Sequence, residues 1–253
     1  MVIAVIIPVY NEQELLPKLI ARLDATPRPT DTTGLALTRH VFLVDDGSTD
    51  GTKDLLAELD RREDVTSLIT DQNRGKGSAL RRGFAAALAQ GCDLVIVQDA
   101  DLEYDPADHD KALAPLIDGR ADAVIGTRFL GETHRVLYFW HSVVNRSITT
   151  LSNMLSNLNL TDIECGTKAF THPALAELTP MLTENRFGIE PEMVAKLAKI
   201  RLPAEQGDMP SRALRIYEVP ISYAGRTYAE GKKIGWRDGV SAIRCIIQHN
   251  LFS

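Results

Sequence analysis

Short apolar runs recur along the first half of this chain, and the stretches between them carry a helical period. That alternation narrows the possible fold more than any other feature. Val2–Val9, Val41–Val44, Val65–Thr70, Leu94–Val97 and Ala121–Gly126 are rich in β-branched residues. Such runs suit strands buried on both faces of a parallel sheet. Between them, Leu15, Leu16, Leu19, Ile20 and Leu23 fall at helical spacing, as do Leu55, Leu56 and Leu59, and then Ala79, Leu80, Phe84 and Leu88. Strands alternating with helices predict an α/β domain built on a doubly wound, mostly parallel sheet.

The residues that follow the strands point to a ligand. Pro8–Glu12, Asp45–Asp46 and Asp99–Glu103 are polar or acidic clusters, each at a strand's carboxyl end, where open α/β sheets bind their ligands. Asp99 and Asp101 lie two residues apart, so in extended chain they share a side. Two carboxylates roughly 4 Å apart repel by about 4 kcal/mol at an effective dielectric near 20. A hard divalent cation offsets that repulsion, and Mg²⁺ normally shares its shell with substrate phosphates. Aspartate is also common in turns after strands, so the pair alone does not decide. No G-x-G-x-x-G follows the first strand, and Gly75-Lys76-Gly77-Ser78 lacks the upstream glycine of a P-loop. Dinucleotide binding and P-loop ATPase chemistry are therefore not expected.

Local signals place the remaining elements. Asn11 is positioned to cap the first helix, and Ser48, Thr49 or Asp50 the second. Pro106 suits the first turn of a helix running to about Ile117. Beyond Gly126 the alternation fades. Val136–Leu160 reads as a helix with aromatics at its start, Pro173–Leu182 and Pro191–Ile200 as further helices, and Leu202–Arg212 as a loop. Ala213–Ser222 alternates like a strand, Thr227–Gly235 is a basic, glycine-containing lid candidate, and Asp238–Asn250 is a closing amphipathic helix.

Composition excludes several classes. With 253 residues and a net charge of −6, the chain buries a sizeable core but lacks the basic balance of a non-specific nucleic-acid binder. Cys92, Cys165 and Cys245 lie far apart without a C-x-x-C, which fits neither a disulfide framework nor a zinc site. Cys165 lacks a histidine partner, and His40, His109, His134, His172 and His249 show no ligand spacing. The N-terminus reads as a strand and not a signal peptide, and no run approaches a membrane span. The scattered cysteines fit a reducing cytoplasm, and the apolar Val136–Phe139 entry with the amphipathic C-terminal helix is where the chain could meet the membrane's cytoplasmic face.

Four motifs taken together carry a resemblance: I-P-V-Y-N-E, V-D-D-G-S-T-D-G-T, R-G-K-G-S-A-L-R-R-G-F and Q-D-A-D-L-E-Y-D-P. In this order they resemble the inverting glycosyltransferases of family 2, and within it the polyprenyl- (dolichyl-) phosphate sugar synthases. G-T-R-F, T-D-I-E-C-G-T-K-A-F and R-T-Y-A-E-G-K-K match more loosely. The resemblance implies a GT-A fold, with residues 1–126 forming the sugar-nucleotide half of one domain and 127–253 its acceptor half. It implies that Pro8, Tyr10 and Glu12 line base and ribose, with Val44 and Asp46 completing the pocket. Asp99, Ala100, Asp101 and Glu103 would hold Mg²⁺ or Mn²⁺ and the diphosphate of a GDP- or UDP-sugar. Arg226 and Lys232 would clamp those phosphates. Arg128, with His141 and Arg146, would seat an acceptor polyprenyl phosphate.

The acceptor separates the alternatives. A phosphate nucleophile is already ionised near neutrality and needs cations beside it, whereas a hydroxyl needs a general base. Arg128 answers the first need; Asp162, Glu164 or Glu190 answers the second. Asp101, Arg128 and Asp162 are thus the catalytic candidates. A glycosyltransferase with a hydroxyl acceptor is the second reading. A nucleotidyltransferase, which wants a basic glycine-rich loop after the first strand, and a non-catalytic binder rank below it.

Overall fold

The computed structural model of the chain describes residues 1–130, 138–204, 210–225 and 236–252. Among them the main sheet has seven strands: β1 (Val2–Val9), β2 (Thr38–Asp45), β3 (Val65–Leu68), β4 (Leu94–Val97), β5 (Ala123–Thr127), β6 (Lys168–Thr171) and β9 (Ile216–Pro220), in the order β3-β2-β1-β4-β6-β5-β9. All are parallel except β6, which runs antiparallel between β4 and β5. β7 (Arg201–Pro203) and β8 (Ser211–Ala213) form a separate antiparallel pair where a loop was expected.

Alternate residues of each strand face opposite layers, as the period of two demands. Ile3, Val5 and Ile7 pack with α1 (Leu16–Ala25), α2 (Thr52–Leu59) and α4 (His109–Ile117) through Leu19, Leu56 and Leu113. Ala4, Ile6, Val95 and Val97 pack on the other face with α3 (Lys76–Ala89), α6 (His172–Leu178) and α7 (Ile189–Leu197) through Phe84, Leu175 and Val194. This double burial explains why the strands read as continuous apolar runs.

Strand β6 was not legible in advance. Lys168-Ala169-Phe170-Thr171 has no apolar run, yet Ala169 and Phe170 are fully buried between β4 and β5. Its reversed direction matters for function. The residues before it, Glu164 to Thr167, emerge at the same sheet edge as the ends of β4 and β5.

Some caps differ from expectation. Asn11 has a left-handed backbone (φ 52°), accepts the Thr49 N–H and donates its own N–H to the Ser48 hydroxyl. It ties the loop after β1 to the loop after β2, and α1 begins only at Leu16. Of the three residues expected to cap α2, Asp50 accepts the N–H of Thr52. Pro106 opens a short 3₁₀ turn that runs into α4, with Asp105 accepting the Ala107 N–H.

Two helices lie over one side. α5 (Phe139–Ser156) buries Ile148, Thr149 and Ser152 and leaves Phe139 and Trp140 about 70% exposed (69% and 72%). α8 (Trp236–Leu251) packs on α5 and α7 and exposes Val240, Ile243, Ile247 and Leu251, which recur at helical spacing.

Candidate active site

The ends of β1, β2, β4 and β5, the start of β6 and the chain after β9 meet around a cavity of about 340 Å³. Pro8, Tyr10 and Glu12 arrive from β1, Asp46 from β2, Asp99, Ala100, Asp101 and Glu103 from β4, and Arg128 from β5. Val44 does not border it; this residue lies within β2, fully buried in the layer of Phe84. His141 and Arg146 sit on α5 and do not line the cavity either. Arg226, Lys232 and the Thr227–Gly235 stretch fall outside the described residues.

Asp46 organises the turn before α3. Its two carboxylate oxygens accept the N–H groups of Arg74 and Gly75 at 2.8 and 2.7 Å. That fixes the approach of Lys76, whose ammonium lies 2.8 Å from Asp99 and 2.9 Å from Glu190. Lys168, fully buried, reaches the other oxygen of Glu190 and donates to the Cys165 carbonyl at 2.6 Å. Two lysines and two carboxylates therefore alternate beneath the cavity. Burial opposes the charge of Lys76, but Asp99 and Glu190 outweigh it and hold the ammonium above the usual lysine range. Gly166 leaves the room for this contact: a Cβ there would stand 2.4 Å from the Asp99 carboxylate.

The loop after β4 is held in a costly shape. Leu102 has φ 63°, a region that costs a non-glycine residue about 1–3 kcal/mol. Neighbouring bonds offset that cost. Asp101 accepts the Glu103 N–H, the Glu103 carbonyl accepts from Ala224, and the Glu103 carboxylate accepts the Tyr223 hydroxyl at 2.9 Å. Gln98, itself held by His109, donates to the Tyr104 carbonyl.

Arg128 forks onto Asp162, with Nε 2.6 Å and Nη2 2.8 Å from its two oxygens, and lies over the Tyr223 ring at 5.2 Å. Asp162 is fully buried and also accepts from Asn145. With its oxygens occupied and no cavity surface, Asp162 positions Arg128 and is not placed to act as a base. Glu164 differs. Its Oε1 is buried and has no hydrogen-bond partner among the described residues, and burial, then the neighbouring Glu190 carboxylate, push the group up to about 7. Cys165 is fully buried and burial pushes its thiol up to about 12, which suits packing and not nucleophilic attack.

The shift at Glu164 has a stability consequence. Its folded value exceeds the ordinary one, so the native state keeps a proton that the unfolded chain has released. This contribution is fully present below about 4.5 and is lost as pH rises towards 7. Relative to Glu164→Gln, the native protein is expected to lose stability across that window, measured by urea midpoints. A constant offset between the two proteins over the same window contradicts the assignment.

The acidic trio Asp99, Asp101 and Glu103 is not a closed three-carboxylate cage. Among the described residues, the side chains that gather three ligand atoms within 4.8 Å are Glu184, Cys245 and His249. Asp99 and Asp101 still offer hard oxygen donors at the cavity, and the ammonium seated on Asp99 marks a place that takes positive charge. One or two carboxylates completed by diphosphate oxygens suit Mg²⁺ or Mn²⁺. Lys76, Glu190, Arg186, Phe187 and Tyr223 also line the cavity. Of these, only Glu190 is among the sequence candidates, as a base.

Known proteins share both pattern and fold. The family model described as "Glycosyl transferase family 2" matches residues 4–179. A UDP-N-acetylglucosamine–dolichyl-phosphate N-acetylglucosaminyltransferase of Methanococcus voltae is 26% identical, covering 93% of this chain and 94% of its own. A polyprenol monophosphomannose synthase of Mycolicibacterium smegmatis is 32% identical over 69% of this chain and 63% of its own. Among solved structures, glucosyl-3-phosphoglycerate synthase from Mycobacterium tuberculosis, in complex with Mn²⁺, UDP and glucosyl-3-phosphoglycerate, superposes with a TM-score of 0.66 at 19% identity, covering 98% of this chain and 79% of that one.

Proposed function

The chain belongs to glycosyl transferase family 2 and is a glycosyltransferase with the GT-A fold, and from that premise we propose that it moves a hexose from a sugar nucleotide to a polyprenyl phosphate with inversion. The observation that carries this reading is Arg128, a cation fixed by Asp162 at the wall of the donor cavity. Attack by a phosphate on a nucleoside diphosphate sugar brings like charges together, and a fixed guanidinium offsets them without needing a base.

The donor side supports the same chemistry. Tyr10 offers a flat wall at the rim, and Asp46 lies at the cavity surface among backbone N–H groups. Asp101, with Asp99 beside it, would hold a divalent cation, which neutralises charge on the departing diphosphate when bound. The relatives named for dolichyl-phosphate and polyprenol substrates favour a lipid acceptor. So do the exposed apolar side chains of Tyr138, just before α5, of Phe139 and Trp140 on α5 and of Val240, Ile243 and Ile247 on α8, since aromatic and aliphatic side chains settle at a membrane surface. No helix among the described residues is long and apolar enough to cross a membrane.

One observation favours a hydroxyl acceptor instead: Glu164, held near 7 at the cavity wall, has the affinity for protons that a general base needs. The two readings part in one experiment. Purified protein, Mg²⁺ or Mn²⁺ and a panel of UDP- and GDP-sugars are given a short-chain polyprenyl phosphate. An acid-labile glycolipid is expected, formed equally well by Glu164→Gln. Several kcal/mol of charge stabilisation ride on the cation, so Asp101→Asn should lower transfer by about a hundredfold or more. Full activity in EDTA rules the cation out, and turnover with a hydroxyl acceptor that Glu164→Gln abolishes selects the other reading.

A further inference from the structure

Next in the chain to Arg186 and Phe187, which line the cavity, Glu184 belongs to a second cluster of side chains. Cys245 and His249 are four residues apart on α8, so they share one face. Both are buried, at 0% and 2% exposure. Glu184 meets them from the segment before α7, and its carboxylate oxygen, the Cys245 sulfur and a His249 ring nitrogen lie within 4.8 Å of one another. Glu192, fully buried in α7, lies outside that trio but 3.5 Å from His249 Nε2. Sequence reading gave His249 no ligand role, because Glu184 and Glu192 are some sixty residues away in the chain.

Charge in this cluster is unbalanced. Glu184 is matched by Arg244, 2.9 Å away at the surface. Among the described residues, Glu192 accepts from neutral donors, the N–H and hydroxyl of Thr183 and the N–H of Glu184, and beside them touches His249. His249 Nε2 faces both carboxylates, at 3.3 and 3.5 Å, and a single N–H cannot serve both at full strength. A fully buried carboxylate without a firm cationic partner is costly.

We propose that Glu184, Cys245 and His249, with Glu192 as fourth ligand, form a structural binding site for a borderline divalent cation of the zinc class. Sulfur, imidazole nitrogen and carboxylate oxygen are the donors zinc takes. Neighbouring ligand atoms of a tetrahedral zinc with bonds of about 2.0–2.3 Å stand roughly 3.4 Å apart, which is the spacing His249 Nε2 already keeps from the two carboxylates. Two carboxylates, one thiolate and the dication sum to −1, and Arg244 brings the site to neutrality. The Cys245 thiol gives up its proton to solvent when the cation binds, as coordinating thiols do. Gly188 keeps the space open: a Cβ there would stand 2.5 Å from the Cys245 sulfur. A cation here would staple α8 to the segment that also holds Ser78 of α3 through the Asn185 carbonyl.

The test uses the whole protein stripped of metal. Zinc titrated against a chromophoric chelator should bind at one equivalent, raise Tm and be weakened at least a hundredfold in Cys245→Ser and in His249→Gln. Co²⁺ added to the unmutated protein should give a thiolate-to-metal charge-transfer band in the near ultraviolet, a readout that does not depend on any variant folding. Asp101→Asn should keep both the band and the zinc affinity, which separates this site from the catalytic cation. Absence of the thiolate band, or a band lost in Asp101→Asn and retained in Cys245→Ser, overturns the proposal.

Discussion

Lys76→Met is expected to destabilise the protein by about 3 kcal/mol and to abolish measurable transfer. Removing one partner of a buried ion pair costs about 3–5 kcal/mol, because the charge left behind has lost its compensation. Lys76 faces two carboxylates: Asp99, 18% exposed, and Glu190, 4% exposed. Partial access of water to Asp99 places the effect at the low end of the range. Lys168 remains on one oxygen of Glu190 and limits the damage there. The transfer defect has a separate cause. Without Lys76, Asp99 loses the contact that fixes its orientation beside Asp101, so the cation-binding edge is no longer held in place. Urea denaturation read by midpoint checks the stability, and a double variant with Asp99→Asn checks the cause. The second substitution should recover part of the lost stability, since it removes the stranded charge, without recovering activity. A Lys76→Met protein within about 0.5 kcal/mol of the parent, the range of an ordinary surface change, means that the network contributes little.

These particulars show which parts of the fold and site the sequence carries openly. The parallel strands were readable because each is buried on both faces, which forces an unbroken apolar run. The acidic edge was readable because chain direction in such a sheet puts every strand's polar sequel on one side. Lys168 and Glu190 were not. A lysine opening a four-residue strand reads as a surface charge, and Glu190 stood out only as one of three possible bases. Their burial follows from a pairing across 22 residues that no local period encodes. Asp162 likewise looked like a base until its carboxylate was found filled by Arg128 from another strand end. Asn11 reads as a cap on propensity alone, but the nearby β2 loop offered its side chain a tertiary partner in Thr49. The family was legible from its motifs, because motif residues must present fixed chemistry to a ligand whereas packing partners can come from anywhere in the chain.

Arg128→Ala is expected to do two separable things. It strands Asp162, which is fully buried, so stability should fall by about 3–5 kcal/mol. It also removes the fixed cation from the cavity wall, so the KM for a polyprenyl phosphate acceptor should rise at least tenfold while nucleotide affinity stays within about twofold. That tenfold equals about 1.4 kcal/mol, modest for a charge-assisted contact to a phosphate. Because an unstable protein also loses activity, the single variant cannot distinguish the two roles. Arg128→Ala combined with Asp162→Asn can. The asparagine carries no stranded charge and keeps its bond from Asn145 within reach, so most of the stability should return. The acceptor KM should not. Arg128→Lys gives a third point: it keeps the charge but loses the two-bond fork, so its KM should fall between those of the parent and the alanine variant. A stabilised double variant with the parent's acceptor KM would show that Arg128 serves the fold alone, and the acceptor's charge would then have to be met elsewhere in the cavity.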